Sequence, residues 1–585
     1  VYGEYELYKD LKLKTNFGVD FNSYSRSYYR PSTLPTSLDR VPPSVPEGSK
    51  RDKNMLNWVW ENTLSYVKIF KQDHHLSAVA GWSAQKESAN TSLIAGNGYP
   101  NDLVHTINAA SAITNWSATA YEWSLLSALA RAQYSYKGKY MLSAAVRADG
   151  SSRFGKNNRW GTFPSVSAGW YVSEEDFMKN LNWLSSLKLR ASYGVSGNFN
   201  IGNYDYYATL SEDNYVYGKN DGTLANGLYP STAGNPDLGW EKTAMLNLGL
   251  EFGLFNMFTF ELDWYTSTTS DMLLDVPVAE FSGFSTIPMN IGKVSNKGIE
   301  FSLATTNKWG DFTWNNRFNI SANRNEVVDL GGAEEMLTTT ESVTFITKVG
   351  EPIGNYYTLV TDGVFANQAE IDNSKDPDKT KRKYAYVEGA KPGDFRYKDI
   401  DGNGEINEND RTITGNYMPK FTYGFSTEMK YKNLDLAVSL QGVQGNKIAN
   451  IFRRYIDNME GGNNCQIDAL DRWVSEDDPG SGLVVRANRS ATGMNGTTST
   501  WHIEDGSYLR IKNITLGYTL PKDWLSNVGI NHLRVYLSTQ NPFTFTKYSG
   551  YNPEVNMKGN SLTPGIDYGT YPLAKSFVFG LNVTF

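Results

Sequence analysis

A single cysteine, Cys465, leaves no material for a disulfide framework or a cysteine-rich metal site. Histidine is nearly as scarce. His74, His75, His105, His502 and His532 are scattered, and the adjacent pair would point to opposite faces of a strand and chelate poorly. No run of about 18 apolar residues could cross a bilayer as a helix, and the mean hydropathy is −0.46. HExxH, GxSxG, GxGxxG and P-loop spacings are missing, and no pair of carboxylates is singled out by its spacing, so no enzyme is expected. With 55 Lys and Arg against 62 Asp and Glu, the chain carries −7 and lacks the basic clusters that nucleic acid requires.

What is abundant is aromatic residues and glycine: 37 Tyr, 27 Phe, 15 Trp and 52 Gly in 585 residues. A membrane is still open to such a chain, because a transmembrane strand needs only about 9–11 residues with every second one apolar. Alternation of that kind dominates. In the stretch after Met245, Leu246, Leu248, Leu250 and Phe252 alternate with Asn247, Gly249 and Glu251. Period-2 reasoning predicts seventeen strands near 1–8, 11–28, 55–69, 74–88, 123–137, 139–151, 162–173, 185–195, 240–254, 257–271, 293–306, 310–325, 418–431, 433–446, 507–520, 532–546 and 574–585. No leader opens the chain, since Val1-Tyr2-Gly3-Glu4-Tyr5 already alternates, and the sequence reads as starting inside a domain.

The connections discriminate further. Long ones are expected at 29–54, 89–122, 196–239, 326–417, 447–506 and 547–573, and short ones at 70–73, 138, 255–256, 307–309 and 432. Compact soluble domains rarely carry several loops of that length, whereas outer-membrane barrels grow long extracellular loops over short periplasmic turns. The fold class expected is all-β, a transmembrane antiparallel β-barrel over 1–585, with 326–417 as one long extracellular loop. A soluble extracellular carbohydrate-binding or adhesive β-protein and a passive porin are the alternatives.

One loop carries metal chemistry. Asp399-Ile400-Asp401-Gly402-Asn403-Gly404-Glu405-Ile406-Asn407-Glu408-Asn409-Asp410 fits the twelve-position calcium template. Oxygen ligands fall at Asp399, Asp401 and Asn403, the backbone carbonyl of Glu405 and, through water, Asn407. Asp410 stands where a longer Glu usually closes the site. Pro392 and Gly393 upstream and an extended stretch downstream replace the helices of an EF-hand, so structural Ca2+ that stiffens a loop is the expectation. The other reading is an Asx- and Gly-rich turn without metal.

For ligand contact, the long loops offer Tyr204, Tyr206, Tyr207, Tyr215 and Tyr217 in one aromatic group, with Trp116 and Tyr121 in another. Aromatic faces stack on sugar rings and also pack on peptide side chains, so oligosaccharides come first and oligopeptides second. The same rings would equally serve as an interfacial girdle.

Several segments resemble the SusC/RagA-type branch of TonB-dependent outer-membrane transporters. They include Arg147-Ala148-Asp149-Gly150-Ser151-Ser152-Arg153-Phe154-Gly155, then Asn235-Pro236-Asp237-Leu238-Gly239-Trp240-Glu241, and Asn290-Ile291-Gly292-Lys293-Val294-Ser295-Asn296-Lys297-Gly298-Ile299-Glu300. Near the end come Glu504-Asp505-Gly506-Ser507-Tyr508-Leu509-Arg510 and Gln540-Asn541-Pro542-Phe543. The resemblance implies a 22-stranded barrel, a plug domain, energy from the TonB complex and a SusD-like surface lipoprotein over the mouth. Against that pattern, the plug and about five strands are expected to lie outside this chain. The last strand, with Phe577, Phe579, Leu581, Val583 and Phe585 on one face, resembles the signal read by the outer-membrane insertion machinery.

Overall fold

The computed structural model describes residues 1–35, 42–217, 222–378, 380–457, 459, 463–488, 493–525, 529–557 and 560–585. Seventeen strands belong to one sheet. They are Tyr2–Tyr8, Leu11–Arg30, Glu47–Phe70, His74–Asn97, Ala112–Tyr136, Tyr140–Ser151, Trp160–Tyr171, Leu184–Asn198, Glu241–Leu254, Phe258–Ser270, Lys293–Trp309, Phe312–Asp329, Phe421–Tyr431, Leu434–Gln444, Tyr508–Thr519, His532–Thr546 and Ser576–Thr584. Each answers to one strand predicted from alternation. No helix among the described residues is long and apolar enough to cross a membrane.

Three strands run well past their expected ends: Glu47–Phe70 against 55–69, His74–Asn97 against 74–88, and Ala112–Tyr136 against 123–137. The connections expected at 29–54 and 89–122 shrink accordingly. The physical reason lies in residues such as Ser49, Lys50, Arg51 and Asp52, which have no apolar alternation yet pair in unbroken register with Ala95, Ile94, Leu93 and Ser92. Beyond an apolar band both faces of a strand can be wet, and the ladder hydrogen bonds alone keep it extended.

The chain forms two compact units, 1–170 with 191–246 and 269–291, and 171–190 with 247–268 and 292–585. In the first, one face of the sheet presents Phe17, Trp60, Trp82, Leu126, Leu142 and Val146, each 40–52% exposed. The opposite face carries Asn16, Glu61, Asn57, Glu87 and Tyr121, joined by hydrogen bonds such as Asn16 Nδ2 to Glu61 at 3.1 Å and Asn57 Nδ2 to Glu87 at 3.1 Å. At the short-turn end Phe70, His74, Tyr136, Tyr140 and Trp170 stand directly opposite one another across five strands. Neighbouring rings in that row lie 4.9 to 6.3 Å apart.

The second unit repeats the scheme. Trp309, Phe312, Tyr431, Leu434 and Tyr518 form a row at its short-turn end. Higher up, Leu436, Leu516, Leu537 and Phe579 face one way. Arg534 reaches the other way to Asp435, 2.9 Å from Nε. Here the loop regions expected to be long are not bare connections. The strands Glu335–Thr340, Val343–Lys348, Asn355–Thr358 and Thr412–Gly415 form a four-stranded sheet, and a short helix spans Gln368–Ser374. Leu359, Phe365, Ile371, Val387, Phe395 and Ile406 join Val485 in one core, with Trp473 and Trp501 packed against it. Val343 and Tyr356 join Ala449 and Ile566 in a second. Three loop regions thus fold together as a cap with its own apolar interior.

Candidate functional site

Within that cap, the loop from Asp399 to Asp410 is wound around its own acidic oxygens. Asp399 accepts from the backbone amides of Gly402 at 2.7 Å and Gly404 at 2.8 Å. Asp401 accepts from Asn403, whose own Oδ1 accepts from Glu405 at 2.6 Å. Asp410 is fully buried and holds the amides of Ile400 and Asn407, each at 2.8 Å. Gly402 and Gly404 take φ of +73° and +91°, a region that side chains disfavour. Ile406 anchors the loop in the cap core, and its amide bonds the Tyr386 carbonyl at 2.8 Å.

Carboxylate oxygens of Asp399, Asp401 and Asp410 lie within 4.8 Å of one another, a spacing one divalent ion can bridge. Asn407 departs from the template, because its side chain caps the short turn Glu408–Asp410 by accepting from Asn409. The donor set the geometry assembles is therefore three carboxylates with Asn403 beside them. All are hard oxygens, as calcium prefers.

The aromatic residues divide. Tyr206 and Tyr207 pack with ring centroids 4.1 Å apart, and burial pushes the Tyr206 hydroxyl up from its ordinary pKa. Tyr204 accepts the backbone N–H of Glu122 at 3.1 Å. Tyr215 and Tyr217 sit on a hairpin, Leu210–Tyr217 paired with Thr223–Pro230, as neighbours 5.1 Å apart. Trp116 and Tyr121 do not form a group: both lie on the strand Ala112–Tyr136, five positions apart, and so point to opposite faces. Trp116 is 78% exposed on the face that also bears Leu126.

One cluster escaped the sequence reading. On the polar face of the first unit, Tyr121 donates to Glu87 at 3.1 Å, and Trp123 stands opposite Glu87 in the ladder. The Arg153 guanidinium lies 4.9 Å from the Trp123 ring and 5.2 Å from that of Phe199. Arg153 belongs to the segment 147–155 that carries the family resemblance, and nothing in its local spacing announces the contact.

At the chain's end, Phe577, Phe579, Leu581 and Val583 share the outer apolar face of Ser576–Thr584, and Phe577 and Phe579 are 72% and 70% exposed. In water such a row would be a liability, whereas facing hydrocarbon it is the favourable arrangement.

An inside-out sheet, aromatic rows at its short-turn end and loops folded into a cap define an outer-membrane barrel. The sequence profile described as "TonB dependent receptor-like, beta-barrel" matches residues 2–541, and the chain belongs to this family, whose barrels are integral outer-membrane proteins. TonB-dependent receptor P3 of Formosa agariphila is 33% identical over all of this chain and 57% of its own length. TonB-dependent receptor SusC of Bacteroides thetaiotaomicron is 32% identical over 80% of this chain and 44% of its own length. Among solved structures, the RagAB peptide transporter matches with a TM-score of 0.81 and 28% identity, over 100% of this chain and 61% of that one. The chain matches between 44% and 61% of the length of these relatives. The resemblance to the SusC/RagA branch is thereby established, and the soluble alternative falls.

Proposed function

We propose that the protein imports oligomeric nutrients across the outer membrane, drawing energy from the TonB complex and working with a SusD-like surface lipoprotein. Oligosaccharides are the favoured cargo and oligopeptides the second. The observation that carries the reading is the likeness over the whole chain, at 28% identity, to the RagAB peptide transporter, together with the SusC relative. A partner over the mouth is supported by the hairpin 210–230, whose Leu210, Val216, Leu224 and Leu228 are 56–67% exposed on one face and Tyr215 and Tyr217 66% on the other. Two strands alone are marginal in water, and so much exposed apolar surface on them suits a protein contact. Oligopeptides stay in view because RagAB is a peptide transporter.

The test is uptake of labelled oligosaccharides and peptides by cells that express the protein, with and without an uncoupler, alongside mass spectrometry of what co-purifies in mild detergent. Uptake that stops with the uncoupler, and a stoichiometric lipoprotein, support the reading. Uptake indifferent to the uncoupler would make the protein a passive porin.

The loop 399–410 we assign to calcium, held by Asp399, Asp401, Asn403, the backbone carbonyl of Glu405 and Asp410, with a structural role: the ion would offset the repulsion among three carboxylates and stiffen the turn against Tyr386. Calcium should slow hydrogen exchange of Gly402, Gly404 and Ile406 in the wild type and not in D399N/D401N. Equal exchange with and without calcium would remove the assignment.

A further inference from the structure

Two hydrogen-bond donors of the first unit are buried side by side without a partner among the described residues. They are the indole Nε1–H of Trp123, a residue only 8% exposed, and the Nε–H of Arg153. The hydrogen bond that the Arg153 guanidinium does make is long, 3.4 Å from Nη1 to the Phe199 carbonyl. Its guanidinium carbon lies over the Trp123 and Phe199 rings, 4.9 and 5.2 Å from their centroids. Burial lowers its pKa, against the attraction of Glu87, Tyr121 and Asp205.

A buried donor without an acceptor is destabilising, so two on neighbouring side chains mark a place where an acceptor from outside the chain belongs. The surroundings decide which acceptor. Glu87 stands directly across the ladder from Trp123. Its carboxylate takes one hydrogen bond from Tyr121 and one from Asn57, both at 3.1 Å, and each oxygen has a lone pair left. Glu87 and Asp205 act on Arg153, and Lys53 reaches over the Tyr121 ring at 5.8 Å, so the two carboxylates and two cations balance and leave no net positive charge to draw a carboxylate, phosphate or sulfate. An ester or ketone would satisfy a donor and offer Glu87 nothing. An amide satisfies one donor and one acceptor per group. Neighbouring hydroxyls both accept and donate, and a pair of them answers the two orphan donors and the carboxylate together.

We infer that Trp123 and Arg153, with Glu87 across the ladder, form a subsite on the polar face of the sheet for adjacent hydroxyls of a neutral sugar. This deepens the oligosaccharide reading above and rests on it. Its position suits cargo recognition, since it lies on the face that carries the polar side chains rather than on the apolar one.

The test uses the full-length protein in detergent, with calorimetric titration of neutral gluco-, xylo- and mannohexaose, a hexuronate and a tryptic peptide mixture. Trp123→Phe keeps an aromatic face toward Arg153 and deletes the orphan donor together with one ring of the indole. At least one neutral hexaose should bind, more tightly than the hexuronate, and lose about tenfold in affinity in W123F, the worth of one hydrogen bond. Its melting temperature should change little, because relief of the orphan donor offsets the packing lost with the second ring. R153K should weaken the same sugar and leave the melting temperature within the same range. Equal affinity of wild type and W123F for every sugar overturns the subsite and leaves the donors to ordered water or to the plug domain expected outside this chain. Binding of peptides alone, or of no sugar, also overturns it. Uncoupler-sensitive uptake of peptides would in that case leave the import reading standing, whereas absence of any energised uptake would fell import itself.

Discussion

In the strands of the second unit, Leu516, Leu537 and Phe579 stand 47%, 51% and 70% exposed, while the ion pair of Arg534 and Asp435 on the other face is three-quarters covered. In the loops of the same unit the order is reversed. Phe365, Val343 and Tyr356 are fully buried, and Lys381, Glu408 and Asp401 lie outside. One chain therefore obeys two rules of burial, which means two solvents: hydrocarbon against the strands and water around the cap. The strand region is held by ladder hydrogen bonds and by the bilayer, the cap by an ordinary apolar interior.

The contrast breaks first where the cap core is emptied. Phe365→Ala removes a ring from a fully buried site and should cost the cap about 3–5 kcal/mol. Proteolysis and hydrogen exchange should then open 359–406 and 484–502 while the ladder 508–519/532–546 keeps its protection. If ladder and cap opened together, they would be one cooperative body and the comparison would fail. The converse change is Leu537→Arg. At an exposed position of a water-soluble protein it would be nearly neutral. Facing hydrocarbon two residues inside the aromatic row, it should cost about 1–2 kcal/mol in refolding titrations into lipid vesicles, between the midplane and interfacial costs. A neutral result would put water on that face.

A titration separates the regions more gently. His502 lies buried in the cap, where desolvation, and secondarily Arg453 and Arg454, push its pKa down to about 3. The neutral ring is the form the fold accepts. The unfolded chain has the ordinary value near 6.5, so it binds more protons below that pH, and the stabilisation present above 6.5 is lost as pH falls towards 3. Each unit of pH in that window should shift cap opening by up to about tenfold, read by exchange of cap amides. H502Q should flatten the dependence.

How much of this could be read in advance differs between the regions for the same reason. Strands of the sheet announce themselves because each residue's solvent is set by parity alone, and all seventeen stand where alternation puts them. Their ends were less legible where Ser49 to Asp52 leave the apolar band. The gathering of Asp399, Asp401 and Asp410 was readable because these residues are spaced along twelve consecutive positions. The cap core was not, since Phe395 meets Trp501 and Tyr356 reaches the Gly565 carbonyl across 209 positions. Trp123 and Arg153 were hidden for the same cause, a register that only the pairing of strands fixes. Trp116 and Tyr121 are another matter: an odd separation on a strand was enough to part them, and treating 89–122 as a loop obscured it.

The smallest effect expected is also the one that locates the boundary between the two solvents. Tyr431 sits in the row Trp309, Phe312, Tyr431, Leu434 and Tyr518, 53% exposed at the short-turn end. An amphipathic ring is favoured at such a position because its body meets acyl chains and its hydroxyl meets headgroups and water. Tyr431→Ala should cost about 1 kcal/mol in lipid vesicles, within the range measured for aromatic contacts, and Tyr431→Phe less. In detergent, which has no headgroup plane at a fixed height, the difference between Phe and Tyr should vanish while the loss in Ala remains. Were Y431F as costly as Y431A in both media, the hydroxyl would be serving a contact within the protein, and the row would not be marking the membrane surface.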